Sequence, residues 1–381
     1  MASDPGSASG VQDMSSMPLR FHWRLPYAGE TYGFARTDQA RAPEIGLPDP
    51  AAQADFCRQA EQCGIDSLLL DFGFGKPDPM LLAAALGPST EKLKFIVAYR
   101  SGLFAPTMFV QQLNTLSSLI NGRVSLNIVA GYSPEEQAGY GDFLSHDERY
   151  ARTEEFLSIC RAFWEHQTGV EFSGRYYRVE RGSLKTPFVS TERSFPAIFV
   201  GGGSEQAKRL AVNHGTCWMQ LADAPEKLSR GVSEVREKGI EAGLRLSVIA
   251  RPTRDEALRA ASELIASKPE GERNLKGESD FIKRTDSVSF KAAYRLGEKE
   301  WAAPCLWTGA IRSHGSTAIA LVGAAGEVAN AILEYGRLGI SQFILSGWPK
   351  LEEMVYFGKA VLPIIRAQEA AVASRGAIWS D

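Results

Sequence analysis

The chain has 381 residues, 44% of them hydrophobic and 23% charged, with a formal net charge of −3. The balance of 42 basic and 45 acidic residues excludes a broad basic surface for nucleic acid or an anionic membrane. No apolar run approaches the ~20 residues of a membrane span. Five scattered cysteines with no CxxC pair point to a reducing, cytoplasmic setting without a disulfide framework or a structural zinc. The five histidines lack metal-ligand spacing, and HExxH and GxSxG are both absent, so no metal site is expected.

Met1–Met17 is rich in Ser, Gly, Asp and Met, with neither a basic start nor an apolar centre. It reads as a disordered tail over residues 1–19, not as a signal peptide, and residues 20–381 read as one domain. Phe21–Pro26 is the first apolar run. Asp49-Pro50 opens a helix that stops at Gly64, with Asp at the N-cap and Pro just inside. Ile65–Asp71 and Leu93–Tyr99 are the next runs, followed by a helix over Ala105–Ile120 that ends on Asn121-Gly122. Val124–Ala130 precedes a long amphipathic helix over Asp147–His166. Val170–Val179 reads as an inserted hairpin with a Ser-Gly turn. Ala197–Gly201, Gly215–Leu221, Leu244–Ala250 and Ile340–Ser346 are the remaining runs. The helices predicted between and after them cover Ser204–Asn213, Ala224–Glu241, Arg254–Ser267, Glu327–Leu338 and Leu351–Ala373.

Short, near-continuous apolar runs are how parallel strands buried on both faces look. Eight of them alternating with helices predict an α/β fold, a (β/α)8 TIM barrel with insertions. A doubly wound sheet alternates too, but usually carries a phosphate loop after its first strand. The connection from Arg251 to Gly339 is too long for one helix. Its polar, Gly-containing parts, Ser267–Glu278 and Trp301–Ser316, predict a long mobile loop over the barrel mouth between strands seven and eight.

In such a barrel the chemistry sits at the C-terminal strand ends. Val200-Gly-Gly-Gly-Ser204 is the most pointed of these: the glycines allow close backbone approach, and the helix behind them offers free N–H groups to a phosphate. It is neither GxGxxG nor a Walker loop, and a plain tight turn is the competing reading. His146 and Tyr150 share a helix face four residues apart, which suits a ligand phosphate or, equally, a capping turn.

These residues, in this order, resemble the bacterial-luciferase-like flavin monooxygenases, and more narrowly the alkanesulfonate monooxygenase branch. The similar segments are NTLSSLINGRVSLNIV from Asn114, HDERYARTEEF from His146, FVGGGS from Phe199, WTGAIRSHGSTAIALVG from Trp307 and EYGRLGISQFILSGWPKLEE from Glu334. The likeness runs from about Phe21 to Pro363. It implies a two-component, FMNH2-dependent monooxygenase. Reduced FMN, supplied by a separate NAD(P)H-dependent flavin reductase, would react with O2 through a flavin (hydro)peroxide and insert one oxygen atom into a small organic substrate. Carried over by position, His146, Tyr150, Gly203 and Ser204 hold the FMN phosphate, and Asp71, Ser101 and Asn127 line the ring or ribityl part.

On the substrate side the resemblance keeps Arg245 and Arg312, guanidinium groups suited to a sulfonate, another oxyanion or the peroxide. The chain departs from the branch at four places. Lys76 stands near the family's cysteine and Ser247 at its strand-seven histidine. Trp348 and Lys350 replace the tyrosine and histidine after strand eight. The expected substrate is a small organosulfur, sulfonate or other anionic compound, and the four departures point away from the branch's own sulfonate to a different compound, larger or carrying another acidic group. Two alternatives remain: an F420-dependent hydride-transfer enzyme on the same barrel, with Lys208 and Arg209 as the nearby basic residues, and a catalytically inactive flavin-binding scaffold. The family pattern also implies a homodimer or homotetramer.

Overall fold

The computed structural model describes residues 18–27, 48–166, 168–266 and 275–377. The predicted tail falls outside them except for its last two residues, as does the segment 267–274 of the predicted loop. Eight parallel strands close on themselves: β1 (Arg20–Arg24), β2 (Ser67–Leu70), β3 (Lys94–Tyr99), β4 (Val124–Ile128), β7 (Ile198–Gly201), β8 (Cys217–Leu221), β9 (Glu241–Arg251) and β12 (Ile340–Gly347). The barrel closes where β12 pairs with β1, Phe343 opposite Phe21. Each predicted apolar run falls on one of these strands. The hairpin is also present, as β5 (Thr168–Ser173) and β6 (Arg178–Ser183).

Several helices start where a side chain satisfies their first N–H groups. Asp49 caps α1 (Pro50–Gln62) through Ala52 N at 3.1 Å. Asp78 caps α2 (Pro79–Leu86) through Met80 N and Leu81 N, both at 2.9 Å. After strand three comes α3 (Pro106–Leu119), and after strand four α4 (Pro134–Gly139) and α5 (His146–His166). Two helices, α6 (Glu205–His214) and α7 (Pro225–Arg236), flank β8. The last of these ends five residues before the predicted stop, since Gly239 at φ 76° breaks it and Glu241 already belongs to β9. Phe21, Trp23, Phe95, Phe109 and Phe156 are fully or almost fully buried between barrel and helices, each contributing roughly 1.5–3 kcal/mol by burial.

The connection between the seventh and eighth barrel strands is built, not loose, over most of its length. It holds α8 (Arg254–Ala266), α9 (Leu275–Arg284), α10 (Val288–Leu296), β10 (Leu306–Trp307), α11 (Ile311–His314), β11 (Ala320–Ala324) and α12 (Ala325–Arg337). Beyond β8 and most of β12, β9 continues and pairs through Ser247–Arg251 with β11, and β10 adds antiparallel to β11. Trp301–Ser316, predicted as a mobile loop, is anchored in this annex. Trp307, Ala310 and Ile311 are buried, and the first two pack with Ile249, Ala257 and Leu264. Apolar residues scattered among polar ones supply the anchor. The chain closes with α13 (Lys350–Tyr356) and α14 (Leu362–Ala377). Leu19 is pinned to α14: its N–H donates to Glu369 Oε1 at 2.7 Å, and Arg366 Nη1 donates to its carbonyl at 2.9 Å.

Candidate active site

A half-open cleft lies at the C-terminal ends of the strands. Seven of the residues singled out from sequence line it: Asp71, Asn127, His146, Tyr150, Gly203, Ser204 and Arg245. They divide into a polar corner and a charged corner.

The polar corner lies where β7 turns into α6. Gly202 adopts φ +143°, a conformation that favours glycine, and its carbonyl accepts from Trp218 Nε1 at 2.8 Å. Ser204 caps α6, its Oγ accepting from Ala207 N at 3.2 Å. Tyr150, on α5, places its hydroxyl within hydrogen-bonding reach of Ser204, and burial raises its pKa. The His146 ring lies 4.9 Å from the Tyr150 ring. Asp147 engages His146 Nδ1 at 2.8 Å and accepts from Gln206 Nε2 at 3.0 Å, tying α5 to α6. A Cβ added to Gly202 would lie 2.8 Å from Ala207 Cβ and 3.0 Å from the Tyr150 hydroxyl. A Cβ on Gly203 would lie 2.8 Å from Ser289 Oγ. Gly202 therefore requires bare backbone, and Ser289 Oγ sits against Gly203. Two hydroxyls, an imidazole and a helix N-terminus fit a phosphate group.

The charged corner is built on Asp71. Its Oδ2 accepts from Arg24 Nε at 2.5 Å and from Lys76 Nζ at 3.0 Å. Burial pushes the Asp71 carboxyl up, but these two cations outweigh it and hold it below the usual carboxylate range. Arg245, on β9, is half-buried in the cleft wall. Its Nη1 donates to the Leu246 carbonyl at 2.6 Å and its Nη2 to Ser346 Oγ at 3.0 Å. Burial lowers its pKa to about 10, against the pull of Asp71. A guanidinium held by neutral acceptors in a cleft wall suits an anionic ligand.

Six other residues named from sequence do not line the cleft. Ser101 is buried behind it, 2.6 Å from Thr153 Oγ1, with Arg152 Nη2 donating to its carbonyl at 2.8 Å. Lys76 reaches the cleft only through Asp71. Ser247 is fully buried, donating to the Thr317 carbonyl at 3.1 Å and sharing a hydrogen bond with Ser346 Oγ at 2.9 Å. Trp348 packs edge-on to His314, with Lys350 Nζ 5.0 Å from its ring centroid. Arg312 points to Glu298 at 3.7 Å and stacks on Tyr294. Conversely, Tyr132, Thr317 and Ser287–Phe290 line the cleft and had not been singled out. Ser287 carried a readable signal, since it caps α10 through Phe290 N at 3.2 Å.

No group of three or more His, Cys, Asp or Glu side chains that could hold a metal occurs among the described residues, and no described helix is long and apolar enough to cross a membrane. Burial raises the thiol of Cys57 to about 12 and those of Cys160 and Cys217 well above their ordinary value, which removes them as nucleophiles.

The sequence model of luciferase-like monooxygenases matches residues 28–342. The chain belongs to the luciferase-like monooxygenase family. Among solved structures, this family member is similar to a riboflavin lyase (RcaE) with modified FMN and riboflavin, at 21% identity over 92% of each chain, with a TM-score of 0.75. It is also similar to the EDTA monooxygenase EmoA from Chelativorans sp. BNC1. That match has 20% identity over 92% of this chain and 94% of the other, with a TM-score of 0.73. An F420-dependent secondary alcohol dehydrogenase matches at 20% identity over 92% and 99%, with a TM-score of 0.62. At these identities the likeness shows a shared barrel. The luciferase-like chain's own residues must argue the rest.

Proposed function

We propose that this chain is the oxygenase of a two-component monooxygenase of the alkanesulfonate type, fed with reduced FMN by a separate NAD(P)H-dependent reductase. Its substrate is a small anionic organic compound, an organosulfur acid or another oxyanion. Reduced FMN supplies the electrons that activate O2, so that one oxygen atom enters the substrate and the other leaves as water.

The observation that carries this reading is the pairing, within one cleft, of a glycine-lined phosphate cradle with a half-buried arginine whose hydrogen bonds go to neutral acceptors. Tyr150, Ser204, His146 and the Gly202-Gly203 backbone take the cofactor phosphate. Asn127 and Asp71 border the rest of the cofactor. Arg245 orients the acidic group of the substrate, and Lys76, held on Asp71, adds positive charge beside it. Ser101 and Ser247 support the walls from behind. Arg312, Trp348 and Lys350 stand outside the cleft, so the substrate side rests first on Arg245. By family pattern the chain assembles as a homodimer or homotetramer.

Incubation with FMN, a flavin reductase, NAD(P)H and a panel of sulfonates and carboxylates tests the reading. Mass spectrometry should show a product heavier by one oxygen, or sulfite should be released. NAD(P)H consumption with every candidate acid left intact would count against the substrate class.

The barrel shared with an F420-dependent dehydrogenase motivates a second reading, hydride transfer without O2. Lys208, a residue that would meet an acidic cofactor tail, is already paired with Glu234 at 2.6 Å and Glu205 at 3.0 Å. That pairing favours FMN. Parallel titrations with FMNH2 and F420 separate the two.

A further inference from the structure

We infer that the Ser289 hydroxyl is a further contact to the cofactor phosphate, placed by the connection between the seventh and eighth strands against the Gly202-Gly203 backbone. This inference rests on the flavin reading above.

Ser289 is the second residue of α10, and Ser287–Phe290 form the cleft wall that faces the glycine turn. Its Oγ lies 2.8 Å from where a Gly203 Cβ would stand, so the hydroxyl sits against the Gly203 backbone at the edge of the cleft. The hydroxyl makes no hydrogen bond to any described residue, whereas Thr285, Asp286 Oδ2 and Ser287 before it are engaged. Asp286 pairs with Arg149 at 2.5 Å, and Arg149 also donates to the Ala130 and Leu144 carbonyls, each at 2.8 Å. Thr285 Oγ1 donates to the Tyr132 carbonyl, and Ser287 Oγ caps Phe290 N. Ser289 is therefore a hydroxyl held in place by its neighbours and left over for a ligand.

A phosphate monoester presents three strong acceptor oxygens. Ser204, Tyr150 and the N-terminus of α6 approach from one wall. An oxygen turned toward the other wall would meet Ser289. Riboflavin lacks the phosphate, so the contact should discriminate between the two flavins.

The test is anaerobic titration of the whole protein with reduced FMN and with reduced riboflavin, read by tryptophan fluorescence. Trp218 reports on the site because it donates to Gly202 O. Ser289→Ala should bind FMN about tenfold more weakly, the loss of one hydrogen bond to a charged acceptor. Its riboflavin affinity should be unchanged. Ser289→Asp, which sets a carboxylate against the phosphate, should lose more FMN affinity and still bind riboflavin. Unchanged FMN affinity in Ser289→Ala overturns the contact while leaving the flavin reading standing. Equal loss of both flavins also overturns it, because Ser289 would then act on the wall alone. A wild-type protein that binds neither flavin overturns both.

Discussion

Arg245 Nη2 donates to Ser346 Oγ at 3.0 Å, so a hydroxyl on the eighth barrel strand aims the guanidinium on the seventh. The same hydroxyl is 2.9 Å from Ser247 Oγ, which donates to the Thr317 carbonyl in the annex connection. The row Thr317, Ser247, Ser346, Arg245 links the cleft's half-buried cation to the segment that walls it.

Ser346→Ala should free the guanidinium to rotate. The substrate KM is expected to rise about tenfold, as for the loss of one hydrogen bond to a charged group. FMN affinity should hold, because the phosphate corner is elsewhere. Ser247→Ala acts one step further away and should have the smaller effect. Steady-state kinetics beside a flavin titration gives both readouts.

Arg245→Met removes the cation and leaves a chain of similar length. We predict a loss of roughly two orders of magnitude in kcat/KM for the anionic substrate, the scale of a charge-assisted bidentate contact. The melting temperature should hold or rise, because a half-buried cation whose hydrogen bonds go to neutral acceptors contributes little to stability. A large drop in melting temperature would recast Arg245 as structural.

Glu353 offers a stability test. It is buried, accepts from Ala250 N and Arg251 Nη1 at 2.7 Å each, and its pKa is raised to about 7, burial outweighing Arg251. A carboxyl whose folded pKa exceeds its unfolded value binds more protons when folded. Its contribution is full below the unfolded value of 4.5 and is lost as pH rises through about 7. Across that window Glu353→Gln should gain on the wild type by up to roughly 1.4 kcal/mol per pH unit. Urea unfolding at several pH values measures the difference. A constant gap would contradict the shift.

Trp307 tests the annex. It is 1% exposed, although the polar, Gly-containing sequence around it predicts a mobile loop. Trp307→Ala should cost about 3–5 kcal/mol, the range for emptying a large aromatic site. In the wild type, amides of β10 and β11 should resist hydrogen exchange far better than those of exposed turns.

The barrel was legible because strands buried on both faces read as apolar runs with helices between them. The helix start at Asp49-Pro50 was legible as a cap, and the one after Gly203 as a glycine turn running into a helix. Pro79–Leu86 was not, because PMLLAAAL is apolar on nearly every side and carries no helical period. The annex was hidden for a different reason: β10 has two residues, and nothing in Glu241–Arg251 marks where the barrel ends and the annex begins. In the site, His146, Tyr150, Gly203 and Ser204 stand close in sequence to the turns that hold them, and they converge. Ser247 was named because it stands at the family's strand-seven histidine, two residues from Arg245 on one strand. Its hydroxyl is instead taken up by Ser346 and Thr317, a partnership formed across strands that no local pattern shows.

The central claim is that reduced FMN binds here and meets O2. Rapid mixing of the anaerobic protein–FMNH2 complex with oxygenated buffer tests it most directly. The account predicts that flavin reoxidation is slowed relative to free FMNH2, passes through a distinct near-ultraviolet species, and changes rate when the anionic substrate is present. Reoxidation indistinguishable from free flavin, together with tight binding of reduced F420, would contradict it.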